Sequence, residues 1–532
     1  MSDKVEKSGA FFVGLGIFLS RISGLIRVRV FAHYFGNSDA ADAFNAALKI
    51  PNFLQNLFGE GVLSASFIPV YANLIAESHN KEQDENNKIE AAKVASIIGS
   101  LLFTVISIIV LIGILATPIL IDTIAPGFAG EKKQLTIKIV QIIFPGTGLL
   151  VMSAWCLGIL NSHRKFFLSY AAPVIWNAAI IGALIFFGRN TEQFNLAIIT
   201  AWGLVAGSFL QFLVQLPFTL KLVKHFRPTL KTKSANVQIV IRNFFPVVVS
   251  RGVVQLSAYI DSMLASLLPA GAVSTLAYAQ TLYLLPISLF GMSVSASELP
   301  AMSSIKGSLD EIYNMLKIRL EAGLEKIAFY IIPSVCAFIF LGKYIISAIF
   351  QSGKFGNEEA FSVWMVLIGS TVGLLASTLG RLYSSTFYSL KDTKTPLKFA
   401  VIRVVLTSVL GYFCALVLPN LLHIDAIWGT TGLTASAGFS GWVEFYLLRK
   451  NLNKLIGQTG LKITYQIKLW SCSLVSSFIS FTIARSIHFG HMISAVVIFS
   501  IYGFSYFAFT YFIEIKESKL FIDKILKKLK LK

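Results

Sequence analysis

At 532 residues, with 55% hydrophobic and only 14% charged side chains and a mean hydropathy of +0.70, the chain is too apolar for a set of soluble domains and long enough for many membrane crossings. Its net charge of +19 would suit a nucleic-acid binder, but the basic residues lie in short connections between apolar stretches, which excludes nucleic acid as a partner. Apolar segments of about 20 residues recur as helices crossing ~30 Å of hydrocarbon require, and none shows the sustained alternation of a membrane barrel. The sequence therefore predicts an all-α polytopic membrane protein. About fourteen spans are expected, at 8–34, 40–76, 92–118, 135–160, 167–188, 195–222, 243–268, 271–303, 320–343, 360–389, 396–418, 425–449, 464–486 and 491–514.

The first span begins with FFVGLGIFL, an apolar run like a signal-peptide core, but Arg21 follows where a small-residue cleavage site belongs, so the span is read as retained. It also carries Arg27 and Arg29. In the second span, stepping about 100° per residue from Asp42 brings Asn45, Lys49, Asn52, Asn56 and Glu60 within about 80° of one another. Helix glue needs one or two polar groups, whereas such a stripe beside three arginines describes the wall of a wet cavity. Pro51 is expected to kink the helix within the stripe.

The connections at 164–165, 221–242, 391–398 and 449–462 and the tail after Lys516 are basic, while those around Asp39, at 121–133, 189–192, 353–359 and 423–425 are mixed or acidic. By the positive-inside rule both termini are expected in the cytoplasm. The polar connection 77–93 reads as a solvated loop or surface helix, and the tail FIDKILKKLKLK as a short basic helix on an anionic leaflet. Cys156, Cys336, Cys414 and Cys472 lie far apart, without a CxxC pair, so neither disulfide nor zinc is expected.

A repeat organises the chain. LFG at 57–59 is followed by SASFIP at 64–69, and LFG at 289–291 by SASELP at 295–300; Ser20 and Arg21 match Ser250 and Arg251 at nearly the same offset. Six spans is an even offset, so the halves run in the same sense about an axis along the membrane normal. The expected domains are an N-lobe at 1–228, a C-lobe at 229–455, and a C-terminal helix pair with its basic tail at 456–532. The two pseudo-symmetric lobes would enclose a central cationic cavity. In the seventh span Arg251, Gln255 and Ser262 share a face with Asp261 nearby, and in the eighth Gln280, Gly291 and Glu298 share one.

No GxxxxGK[ST] loop, HExxH, aspartate-rich metal motif or GxSxG is present, so the sequence is read as a secondary transporter without ATPase or metal-hydrolase machinery. Arginine offers a planar fork of donors suited to phosphate and stays charged when desolvated. The implied cargo is an anion, a phosphate or diphosphate. Asp42, Glu60, Asp261 and Glu298 could pair the arginines in the empty state or carry a coupling cation.

SRISGLIRVRVFAHYFG, DAFNAALKIPN, FGEGVLSASFIPVY, APGF at 125–128 and KDTKTPLK at 391–398 resemble the MurJ (MviN) family of lipid II flippases, in the order and spacing of that family through most of the chain. The resemblance implies a fourteen-helix member of the MOP exporter superfamily. It would carry undecaprenyl-diphosphate-linked disaccharide-pentapeptide from the cytoplasmic to the outer leaflet of the bacterial cytoplasmic membrane for peptidoglycan synthesis, with a groove for the lipid tail on the last two spans, expected to be apolar throughout. It places Arg21 and Arg27 as cavity arginines, Asp42 and Glu60 as acidic partners, and Lys49 as the lysine of a KxPN motif. Gln55 and Thr281 stand where the family often has further arginines, so Arg29, Arg251 and Arg381 are expected to restore the positive charge. The substrate-binding candidates are thus Arg21, Arg27, Arg29, Asp42, Lys49, Asn52, Glu60, Arg251, Asp261 and Glu298. No cofactor is expected beyond a coupling cation, Na+ or H+, with Asp392 or Asp261 as the carboxylate for sodium. Lipid II and membrane lipids are the expected partners, with proteins of cell-wall synthesis and division as further candidates. The alternatives are an exporter of another lipid-linked oligosaccharide or of a drug, and a non-transporting scaffold for cell-wall synthases.

Overall fold

Every stretch expected to span is helical. In the computed structural model residues 2–77, 84–224, 226–232, 234–486 and 489–530 are described, with the backbone alone for 2–14, 60, 84, 249–258, 525–526 and 528–530. Ten of the described helices, or eleven if a pair bent by 43° is one span, are long and apolar enough to cross a membrane. Among the described residues, length and apolarity thus account for ten or eleven of the about fourteen expected spans; the expected first, seventh and twelfth are not in that set.

The chain divides into two units, Met1–Val273 and Ser274–Lys532. The first unit opens with α1 (Ser2–Phe35), followed by four short helices, α2 (Asp39–Ala47), α3 (Lys49–Phe58), α4 (Glu60–Ser66) and α5 (Ile68–Glu77). Long helices follow: α6 (Asp84–Ile124), α7 (Gly130–Ser162), α8 (Phe166–Phe187), α9 (Gln193–Leu222) and α10 (Ala235–Ser266). α7 is central, with 78% of its most apolar window buried against 22% for α8. It packs on α2, α3, α6 and α9, while α1 lies against α8 and α10 against α3, α4 and α6.

The second span is where the sequence expectation needs correcting. One helix kinked at Pro51 was expected. Leu48 keeps helical backbone (φ −66°, ψ −21°) with its N–H bonded to the Phe44 carbonyl. Although Pro51 has no N–H to offer the Ala47 carbonyl, α3 stays helical through it; the stretch leaves helical geometry at Gly59 instead. Gly59 is extended (φ −88°, ψ −150°), and a β-carbon there would lie 2.2 Å from the Gln55 carbonyl oxygen.

The second unit begins with α11 (Ala272–Pro286), a π-helical turn at Ile287–Met292 and α12 (Ser293–Ser303). α13 (Leu309–Phe350), α14 (Asn357–Thr371), α15 (Leu374–Ser389), α16 (Lys394–Tyr412), a second π turn (Phe413–Val417), α17 (Leu418–Leu421) and α18 (Trp428–Ile456) continue it. α19 (Ile463–Ser486), α20 (His491–Phe512) and α21 (Lys516–Lys530) complete it. α13 is the hub, packing on α12, α14, α15, α19 and α20. Large apolar side chains face outward, Phe504 and Phe512 being 80% exposed, as a hydrocarbon solvent permits. Hydroxyls such as those of Ser96, Ser100 and Thr117 bond to carbonyls four residues back, which satisfies them inside their own helices.

Candidate functional site

Asp42 sits in α2, one turn beyond the Ser38 hydroxyl that caps the helix by accepting from the Ala41 N–H. It is 1% exposed, and Lys132 Nζ lies 2.8 Å from its Oδ2 and 2.9 Å from Oδ1 of Asp39. The Gly271 N–H donates to the same Asp42 oxygen at 2.8 Å. Lys132 also lies 4.3 Å from the centroid of the Phe128 ring. Gly271 has φ +90°, and a β-carbon on it would meet the Asn37 carbonyl at 2.7 Å, so this turn admits glycine for both reasons. Within the APGF motif the Gly127 N–H donates to Ser266 Oγ. One carboxylate thus ties α2, α7 and the chain after α10 into a closed cluster.

The helical backbone runs on through Leu48, so the register from Asp42 carries through α3 and is lost only at the extended Gly59. Lys49 opens α3, where Tyr259 of α10 donates its hydroxyl proton to the Lys49 carbonyl at 2.6 Å. The Tyr259 ring meets Phe53 edge-on at 5.2 Å. Asp261 of α10 lies within electrostatic reach of the Lys49 ammonium, so these two candidates, from the second and seventh spans, are neighbours rather than an ion pair in contact. Asn52 and Asn56 are exposed, while Asn45 and Gln55 are half-buried. Asn45 donates to the Ala41 carbonyl within its own helix. The side chains of Glu60, Arg251 and Gln255 lie outside those described.

On α1, Arg21 is exposed and Arg27 and Arg29 are half-buried. The Arg27 guanidinium carbon lies 4.7 Å from the Trp176 ring centroid, and one residue on, Asn177 donates to Ser23 Oγ at 2.9 Å. Stacking against one face of an arginine leaves its N–H edges available to an anion and lowers the cost of holding it away from water.

In the second unit Glu298 of α12 pairs with Arg319 of α13 at 2.9 Å. Arg403 of α16 pairs with Glu444 of α18 at 3.1 Å, and Arg381 of α15 lies within the electrostatic reach of both and of Tyr283. Gln280 is half-buried and Thr281 Oγ1 donates to the Ala277 carbonyl. Asp392 caps α16: it accepts from the Lys394 and Thr395 amides at 3.0 Å and from the Thr395 hydroxyl at 2.6 Å. The Thr395 hydroxyl, ahead of the amides, holds this carboxyl below the usual aspartate range. The last two spans carry a feature their apolar composition hid. Ser473, Ser476, Ser477 and Ser480 of α19 are all 0% exposed, on a helix packed between α13 and α20, while Phe478 and Val496 face outward.

Lys132, Trp176, Tyr259, Arg319, Arg403 and Glu444 were not among the candidates. Arg403 and Glu444 stand inside expected spans, where an ionisable residue is itself a signal, and Trp176–Asn177 is a polar pair in an otherwise apolar span. Lys132 gave less away, since a lysine in a connection is usually solvated.

The helices long and apolar enough to cross a membrane define a multi-pass membrane protein. The fold is shared with a multidrug resistance MATE family transporter of the MOP superfamily in an inward-facing conformation, at a TM-score of 0.60 with 16% identity over 81% of this chain and 95% of that one. The family model for the lipid II flippase MurJ matches residues 31–504, and the chain belongs to that family. A structure of lipid II flippase MurJ in an inward closed conformation aligns at a TM-score of 0.76, 25% identical, covering 97% of this chain and all, 100%, of that one. The chain is 30% identical to the "Probable lipid II flippase MurJ" of Rickettsia prowazekii over 87% of both chains. With the "Lipid II flippase MurJ" of Burkholderia cenocepacia it shares 29% identity over 82% of this chain and 81% of that protein.

Proposed function

We propose that this chain moves lipid II, the undecaprenyl-diphosphate-linked peptidoglycan precursor, from the cytoplasmic to the outer leaflet of the bacterial cytoplasmic membrane. The observation that carries the reading is Arg27: a half-buried guanidinium stacked on Trp176, on a helix that also bears Arg21 and Arg29, is an anion site shaped for a diphosphate. Lys49 adds a cation, held near Asp261 until the cargo arrives. Alternating access by rocking of the two units would carry the headgroup across, with Asp42 and Lys132 closing one end of the first unit. Outward movement of an anion is favoured by the membrane potential, by about 2.3 kcal/mol per charge per 100 mV.

A coupling cation fits less well. The Asp392 oxygens are engaged by the cap of α16, and Asp261 lies within electrostatic reach of Lys49. No step is routed through such an ion.

Complementation tests the reading. In a bacterium depleted of its own lipid II flippase, the chain is expected to restore growth and outer-leaflet lipid II, and Arg27→Ala, expressed to the same level, to fail. Failure of the unaltered chain would refute lipid II as the cargo. Rescue by both would move the diphosphate contact from Arg27 to Arg21, Arg29 or Arg251.

A further inference from the structure

The first unit holds a second polar feature, at the other end of α7 from Lys132. Where α5 stops, α6 starts, α7 turns into α8 and α9 ends, the chain encloses a cavity of about 660 Å3. Its apolar lining is Ile75, Ile89 and Val223, and its charged lining among the described residues is Lys88, Arg164 and Lys224 with the carboxylate of Glu85. The three cationic residues are exposed, which sets their charges toward the solvent side of the cavity. His163 lines the same wall, with Nε2 3.0 Å from the hydroxyl of Tyr71, which is itself 1% exposed. That contact fixes the imidazole against the pocket. The connections that form the cavity belong to the basic set that the positive-inside pattern assigns to the cytoplasm, where anionic headgroups concentrate.

We propose that this cavity is a binding site for a phosphate group carried on an apolar body, with the headgroup of an anionic phospholipid as the source that the apolar lining favours over free phosphate. Three cations around one carboxylate select an anion, and the arginine and lysines supply charge-assisted donors to phosphate oxygens. Ile75, Ile89 and Val223 then cover the first carbons beyond the phosphate, which a free anion would leave uncovered. The site is separate from the arginines of α1 and does not depend on what the chain transports.

The test titrates the purified full chain in neutral detergent with short-chain phosphatidylglycerol, phosphatidylcholine of the same chain length and inorganic phosphate, read by calorimetry at low salt. Phosphatidylglycerol is expected to bind about tenfold tighter than phosphatidylcholine, and Arg164→Glu and Lys224→Glu each to weaken it about tenfold. Lys398→Glu, an exposed charge reversal elsewhere, should leave it unchanged. Inorganic phosphate competing with equal strength and the same variant dependence would keep the phosphate site and overturn the headgroup as its source. Equal binding of phosphatidylglycerol by the unaltered chain and both cavity variants would overturn the proposal. A readout needing no variant is salt: binding that does not weaken as ionic strength rises is incompatible with three exposed cations holding the ligand.

Discussion

The second and eighth spans carry the same tripeptide and solve the same problem differently. In Asp39–Glu77 the LFG motif ends a helix, with Gly59 extended and α4 starting afresh. In Ala272–Ser303 the LFG motif lies inside a π turn, Ile287–Met292, and the helix runs on. The proline positions account for the contrast. Pro286 directly precedes the π turn, which takes up one extra residue and so absorbs the missing N–H. Pro51 stands eight residues before Gly59, inside a helix that runs on to Phe58, too far from the break to shape it. The charges differ as well. The broken span buries Asp42 against Lys132, whereas the continuous one leaves Glu298 and Arg319 26% and 39% exposed.

The largest expected effect breaks the buried side of that contrast. Asp42→Ala removes the buried partner of Lys132, leaving it the exposed Asp39, and the acceptor of the Gly271 N–H, and should cost about 3 kcal/mol, read from reversible denaturant unfolding in detergent. A double-mutant cycle with Lys132→Met should give a coupling of at least about 1 kcal/mol. Additive losses would mean that the two charges do not depend on one another. The glycines come next. Gly59→Ala puts a β-carbon 2.2 Å from a backbone oxygen, and Gly291→Ala puts one 2.9 Å from a side-chain methyl of Thr378. Backbone cannot step aside as a side chain can, so Gly59→Ala should lose more, about 2–3 kcal/mol against about 1. Equal losses would show that the break and the π turn are equally rigid.

Much of this was legible in the sequence, and the failures have physical causes. Every expected span is a helix because apolar runs of sufficient length leave the backbone no other way to satisfy itself in hydrocarbon. Lys49 and Asp261 were both singled out, since each is an ionisable residue at membrane depth, and they lie within electrostatic reach of one another. Asp42 was singled out for the same reason, but its partner was not. A wheel says which face a side chain takes and not what packs against that face, so Lys132 lay beyond its reach. Gly271 and Ser266 are 229 and 139 residues from the groups they meet, beyond any periodicity. Trp176 under Arg27 belongs to the same class: stacking between α1 and α8 needs their packing, which composition does not encode.

The smallest effect sharpens the exposed side. An ion pair as open as Glu298–Arg319 is worth about 1 kcal/mol at most, so Glu298→Gln should barely move the unfolding midpoint, and its cycle with Arg319→Met should show weak coupling that fades with salt. That small stability change makes Glu298 a clean probe of transport, because a loss of lipid II at the outer leaflet could not be blamed on misfolding. If Glu298 serves only to hold α12 against α13, Glu298→Gln transports at the unaltered rate. A variant that folds as well as the unaltered chain yet fails to transport would assign the carboxylate to the cargo path, and the eighth span would then match the second in function while differing from it in backbone.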